Sequence, residues 1–216
     1  MTASLNRQRF VDAALEVIAD VGVERASMRK VAAQLGVSAM AMYKHFNNKE
    51  ALLAAAFDTF IERADVLPAE TLAWDGWLEQ LARNMYGALS GDRRWLPLLG
   101  SLPLGSNALK VTDQVITKLQ AAGFSADQAV RIYMAMIQLV VGAASLRATL
   151  YRASEEGGDE ALSAVTHSYL QDPSRQRLHV APVLETIVRE EPIDISLPYL
   201  LDGFRQQLSA ATPSPR

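Results

Sequence analysis

The chain has no cysteine and only three histidines in 216 residues. Disulfides and thiolate chemistry are excluded, and too few ligands remain for a zinc cluster. His167 and His179 stand twelve residues apart in different expected segments, so neither a metal site nor a cofactor is expected. There is no G-x-S-x-G elbow, no H-E-x-x-H helix, no phosphate-cradling glycine loop, and no second histidine near His45; an enzyme is not expected. Nor does any alternating strand pattern or internal repeat stand out. Arg7, Arg9, Asp12, Glu16 and Asp20 interrupt the first twenty residues, where a secretory segment would be apolar. No uncharged run approaches the roughly 20 residues of a membrane helix. The expected location is the cytoplasm, with no membrane partner.

Half of the residues are hydrophobic and the net charge is only −3, the balance of a folded, soluble chain. The charge is unevenly spread. Residues 1–50 hold seven Lys/Arg against five Asp/Glu, a net +2, while the other 166 hold fourteen against nineteen, a net −5. A mildly basic head on an acidic body suits a polyanion contact confined to the head.

Helical periodicity runs throughout. Phe10, Ala14, Val17, Ile18 and Val21 share one helix face, and Gly22 stands where a helix-ending glycine would. Ser27 caps a second helix with Met28, Val31, Ala32 and Leu35 inward, and Gly36 ends it. Ser38 caps a third, with Met42 and Phe46 inward. Asn47, with Glu50 three residues on, fits the cap of a fourth that continues to about Val66, where Leu67-Pro68 breaks it. Beyond lie expected helices at Trp74 to Leu89, Arg93 to Leu99, Asn107 to Ala122, Ala126 to Tyr151, Glu160 to Tyr169, Arg177 to Arg189 and Pro198 to Leu208. Gly91-Asp92, Pro103-Leu104-Gly105, Gly123, Gly157-Gly158, Asp172-Pro173 and Pro192 mark the loops. Ser125 and Gln128 form a capping box. The expected fold is all-α: a helix-turn-helix domain over residues 1–50, a helical effector-binding and dimerisation domain over 51–211, and a disordered tail over 212–216.

The stretch "SMRKVAAQLGVSAMAMYKHF" carries the functional signal. Two helices too short to stand alone, joined at a glycine, have the helix-turn-helix form, in which the second helix offers its outer face to the major groove of double-stranded DNA. With Met42 and Phe46 inward, Ala39, Met40, Tyr43 and Lys44 point outward. Ala39 permits close approach, and Ala39 or Met40 can touch a thymine methyl. Tyr43, Lys44, His45 and Lys49 can reach phosphates or base edges. Arg29 suits a guanine or phosphate, and the helix starts at Ser27 and Ser38 offer N–H groups to anions.

Those residues resemble the N-terminal domain of the tetracycline-repressor (TetR) family over residues 5 to 57, through A-L-x-x-I-x-x-x-G, R-K-V-A-x-x-L-G-V-S and Y-K-H-F-x-N-K-E-x-L-L. The resemblance implies that Tyr43, His45 and Lys49 hold phosphates, and that Arg29, Ala39, Met40 and Lys44 touch bases or backbone. The body is similar to the C-terminal domain of the tetracycline-repressor branch through "AWDGWLEQLARNMYGAL", "LLGSLPLGSNAL", "LQAAGFSADQA" and "YLLDGFRQQL". In tetracycline-binding members a histidine near the Leu-Gly turn helps hold a magnesium–drug chelate, and an arginine follows just before the proline. Leu98 and Leu102 stand in those places here, which implies a small, largely apolar effector. The resemblance also implies a homodimer joined through "MIQLVVGAASL" and the last helix, and a repressor released from a pseudo-palindromic operator when the effector tilts the fourth helix.

Phe60, Met85, Trp95, Leu98 and Met134 are the apolar candidates for the effector site, with the amides Gln114 and Gln138 as polar anchors. The competing interpretation makes the rings and thioethers ordinary core and the amides surface. At the level of the whole protein, the alternative is a small-molecule binding protein with a vestigial helix-turn-helix.

Overall fold

A computed structural model describes residues 6–157 and 190–211; His167, His179, the helices expected over Glu160 to Tyr169 and Arg177 to Arg189, and the tail at 212–216 lie outside the described residues. The helices are α1 (Arg7–Arg25), α2 (Met28–Gln34), α3 (Ala39–Tyr43), α4 (Lys49–Ala64), α5 (Trp74–Gly91), α6 (Ser106–Ala121), α7 (Ala126–Gly157) and α8 (Pro192–Ala211), with a 3-10 turn at Arg93–Leu98. Among the described residues there is no strand. Contacts divide the chain into two compact units: one runs through Leu67 and takes in Arg94–Thr117, and the other takes Pro68–Arg93 and the chain from Lys118 onward.

In the first unit, Phe10, Ala14, Val17 and Ile18 of α1 are buried with Val31 and Ala32 of α2, Met42 and Phe46, and Leu52, Leu53 and Ala56 of α4. Gly22 adopts φ 79°, a left-handed conformation that costs glycine little, and breaks the regular path of α1. The break leaves helix-end carbonyls to be satisfied by other donors. Arg94 donates to the carbonyl of Ala19 at 2.6 Å and Arg25 to that of Val21 at 2.9 Å. Three sequence expectations shift here. Asn48, not Asn47, caps α4, accepting from the Ala51 N–H at 2.8 Å. With two adjacent asparagines, the Glu50 signal chose the wrong one. Ser38 precedes α3 but makes no side-chain cap bond. Finally α4 ends at Ala64, with Asp65 in the left-handed region at φ 42°.

The second unit is built from α5, α7 and α8 with the end of α6. The expected Ser125–Gln128 capping box is present and reciprocal, with hydrogen bonds of 2.9 and 3.2 Å. α6 closes in a Schellman turn, the Gly123 N–H on the Gln120 carbonyl and the Phe124 N–H on that of Leu119. α8 starts at Pro192, six residues before the expected start, and runs through Pro198. Proline needs no N–H partner at a helix start, so Pro192 opens the helix it was expected to exclude. α7 is long and apolar enough over Ala126–Thr149 to pass for a membrane span, contrary to the expectation from counting charges. Its Ile132, Met136, Val140 and Ala144 are buried instead, and the helix packs on α5 and α8.

A polar clasp joins these helices. Arg83 pairs with Glu79 and Asp194, Arg147 with Glu191 at 3.3 Å, and the Tyr86 hydroxyl donates to Glu191 at 2.5 Å. Burial, reinforced by Glu191, pushes the Tyr86 hydroxyl up to about 12. A raised folded-state value means that this contribution to stability is intact below the unfolded value near 10 and is lost as pH climbs through 12. Urea unfolding across pH 9 to 12 is therefore expected to show a steeper fall for the parent than for Tyr86→Phe, the difference reaching about 2 kcal/mol. Parallel profiles would contradict this assignment.

Candidate nucleic-acid interface

The geometry begins with α2. Ser27 accepts the Lys30 N–H at 3.3 Å, fixing the helix start. Gly36, at φ 66°, ends it: the Gly36 N–H bonds the Ala33 carbonyl and the Val37 N–H that of Ala32, both at 3.0 Å. This is a second Schellman turn, and its left-handed residue favours glycine. The chain is thereby re-aimed into α3.

α3 has five residues, too few to persist alone, so its anchors decide its orientation. Met42 is fully buried and Phe46 is 2% exposed. The opposite face is consequently free: Met40 is 75% and Tyr43 51% exposed, Lys44 and His45 are exposed, and Ala39 is half-buried. Arg29 on α2 and Ser38 are also exposed, while Ser27 is half-buried behind its cap bond. A thioether and a phenol standing in water on one short face are the surface that a groove of bases and phosphates would cover.

Three supporting contacts were not visible in the sequence. The His45 ring lies against Phe10, with centroids 5.1 Å apart, so the imidazole is steadied from α1. Lys49 is half-buried, and its ammonium donates to the Glu24 carbonyl at 3.0 Å. One of its three donors thus ties α4 to the end of α1, leaving two for other acceptors. The Arg7 guanidinium stands 4.7 Å over the Phe46 ring.

The effector candidates separate. Trp95, 1% exposed, stacks on Phe60 at 5.4 Å, and Phe57 completes a three-ring cluster at 5.5 Å from Trp95 and 6.0 Å from Phe60. Leu98, in the same 3-10 turn as Trp95, is half-buried, as is Gln114 on α6. Met85 of α5 is half-buried in the second unit, whereas Met134 and Gln138 of α7 are exposed. Asp58, one residue beyond Phe57, accepts the N–H groups of Asn107 at 2.9 Å and Ala108 at 3.2 Å and so caps α6 from α4. Among the described residues, no group of three or more metal-ligating side chains occurs.

Comparison with known proteins gives consistent matches at both ends. A family profile described as "Bacterial regulatory proteins, tetR family" matches residues 10–56, and one described as "Tetracyclin repressor-like, C-terminal domain" matches 67–208. The class C tetracycline repressor of Escherichia coli is 30% identical over 161 residues, covering 74% of each chain. The transcriptional repressor DrrR1 of Streptomyces coeruleorubidus is 34% identical over 158 residues, 71% of this chain and 57% of that one. ActR of Streptomyces coelicolor, crystallised with actinorhodin, superposes with a TM-score of 0.78 at 21% identity, covering 99% of both chains. At that identity the likeness is one of fold.

Proposed function

Because the chain belongs to the TetR family of bacterial regulatory proteins, we propose that it is a repressor that holds a pseudo-palindromic operator as a dimer and leaves it when a small, largely apolar effector binds. The observation that carries this reading is the free face of α3, where Met40 and Tyr43 stand exposed while Met42 and Phe46 are locked inward. Ser27, Arg29, Ser38, Tyr43, Lys44, His45 and Lys49 serve the DNA backbone or base edges, and Ala39 and Met40 meet bases. Family members act as dimers. Two-fold symmetry then sets the recognition helices about 34 to 36 Å apart, one turn of DNA.

α4 is suited to carry the signal. Its first turn holds the head through Lys49, and its later turns carry Phe57 and Phe60 against Trp95 and Asp58 against the start of α6. An effector that displaces Trp95 or α6 tilts α4 and changes the spacing; release needs a preference for that state of about 1 to 3 kcal/mol per coupled site. The exposure of Met134 and Gln138 suits a subunit contact, and the remaining effector candidates are Phe60, Trp95, Leu98 and Gln114 in the first unit and, separately, Met85 in the second.

The test is binding of the protein to the DNA upstream of its own gene across a salt series. The expected log–log plot falls steeply, and Tyr43→Ala and Lys49→Ala weaken operator and unrelated duplex alike; Lys49→Ala lowers the slope by about 0.9 per phosphate lost, whereas Tyr43→Ala, which removes an uncharged hydroxyl, keeps it. A flat plot would be incompatible with the phosphate contacts. Failure to bind DNA combined with retained small-molecule binding would instead favour the vestigial helix-turn-helix.

A further inference from the structure

We propose that Arg7 is an additional phosphate contact, extending the DNA interface from the helix pair onto the first turn of α1. The inference rests on the reading of the head as a duplex-binding domain. Four observations lead to it.

The first is position. Arg7 and Phe10 lie one turn apart on α1, and each touches one of two consecutive residues: the Arg7 guanidinium the ring of Phe46, the Phe10 ring that of His45. The start of α1 therefore braces the α3–α4 turn at two adjacent points, beside the imidazole assigned to a phosphate and three residues before Lys49. The second is freedom. Arg7 is exposed and makes no ion pair among the described residues. Asp12, the acid closest along α1, is engaged by Arg63 at 2.5 Å and by Gln8 at 3.1 Å.

The third is charge placement. The first turn of α1 contains no acid and instead carries Arg7 and Arg9. Cations at the positive end of a helix oppose its dipole. That arrangement is unfavourable for an isolated helix and becomes favourable against a polyanion. The fourth is chemistry. A guanidinium held over a ring has fewer conformations to lose, and its donors match phosphate oxygens in a way an ammonium does not.

The competing role is a cover for Phe46, made by the side-chain stem and the cation–ring contact. Arg7→Met separates the two, because it keeps an apolar cover and removes the charge. The experiment uses the full chain, a labelled duplex from upstream of its own gene, an unrelated duplex of equal length, and anisotropy titrations over a range of KCl. Arg7→Met is expected to weaken both duplexes about 5- to 10-fold at low salt and to lower the log–log slope by about 2 per dimer, one phosphate from each protomer. Arg7→Lys is expected to keep the slope, and the unfolding midpoint of Arg7→Met to stay at the parent value. Should Arg7→Met keep the parent slope, the residue is only a cover and the proposal is overturned, whatever happens to the affinity. Should the unaltered chain bind neither duplex, the DNA-binding reading fails first and takes this proposal with it.

Discussion

A chain carrying Met134→Glu together with Leu146→Glu is expected to sediment as a lone protomer and to lose operator affinity by about a hundredfold or more. The reason lies in the two faces of α7. Ala129, Ile132, Met136, Val140 and Ala144 are buried within the protomer. Val130, Met134, Gln138, Gly142 and Leu146 recur every four residues on the opposite side, and all are exposed. On α8, Ile193, Leu197, Leu201 and Phe204 are buried, while Tyr199 is 80% exposed. A stripe of apolar and small side chains on a helix already packed on its other face needs a second covering, and Gly142 lets another helix approach closely. Carboxylates in that stripe are harmless in water but must be desolvated without a partner if two copies meet. Because both substituted side chains are exposed in the single chain, helix content and the thermal midpoint of the protomer should survive.

The DNA effect follows from linkage of two half-sites. In the proposed operator complex each helix-turn-helix would bind its half-site weakly, and joining two would turn the second contact into an intramolecular one, worth about 10²- to 10⁴-fold. Sedimentation equilibrium reads the oligomer and anisotropy reads the affinity, so the two effects can be compared on one sample. A double variant that remains dimeric would move the interface elsewhere. One that becomes a protomer yet keeps full affinity would refute the symmetric mode of operator binding.

What the sequence disclosed was mostly local. Gly36 and Gly123 announce Schellman turns because left-handed backbone favours glycine, and Ser125 with Gln128 announces a capping box because both partners lie within one turn. The outer face of α3 was legible for the same reason, since Met42 and Phe46 at i and i+4 fix which side is inward. Where the sequence misled, two local signals competed. Asn47 and Asn48 are equally good caps by type, and only the extended backbone of Asn48, φ −157°, shows which one is used. Pro192 reads as a break or as an opening, and the two cannot be told apart without the packing of Ile193 and Leu197. What stayed hidden was long-range. No periodicity relates Phe57 and Phe60 to Trp95, Lys49 to the Glu24 carbonyl, or Asp58 to the start of α6, because each contact joins elements from 25 to 50 residues apart. These contacts are also the ones through which a signal would reach the head.

The Asp58 contact should give the largest non-additive effect in the chain. Its carboxylate caps α6 through the N–H groups of Asn107 and Ala108 and takes the Ser106 hydroxyl at 3.2 Å. Gly105 is what lets it approach: a β-carbon there would lie 2.2 Å from Cγ of Asp58 and 2.6 Å from its Cβ. Gly105→Ala must therefore expel the Asp58 side chain, stranding the α6 donors as well as crowding α4. Loss of the cap alone, as in Asp58→Ala, is expected to cost about 1 to 2 kcal/mol. Gly105→Ala should cost that and a further 1 to 3 kcal/mol, roughly, for overpacking. Asp58→Ala removes the carboxylate carbon and oxygens but keeps its own Cβ 2.6 Å from the added methyl, so the double variant, which loses the cap only once and is relieved of part of the overpacking, should stay somewhat less stable than Asp58→Ala alone. Urea unfolding of the four proteins completes the cycle, with an expected coupling of about 1 to 3 kcal/mol in favour of the double variant. Additive losses would mean that α4 and α6 do not communicate through this carboxylate. With the coupling present, the same variants can be carried to the operator assay, where a helix released from α6 should bind DNA but respond weakly to whatever effector moves α6.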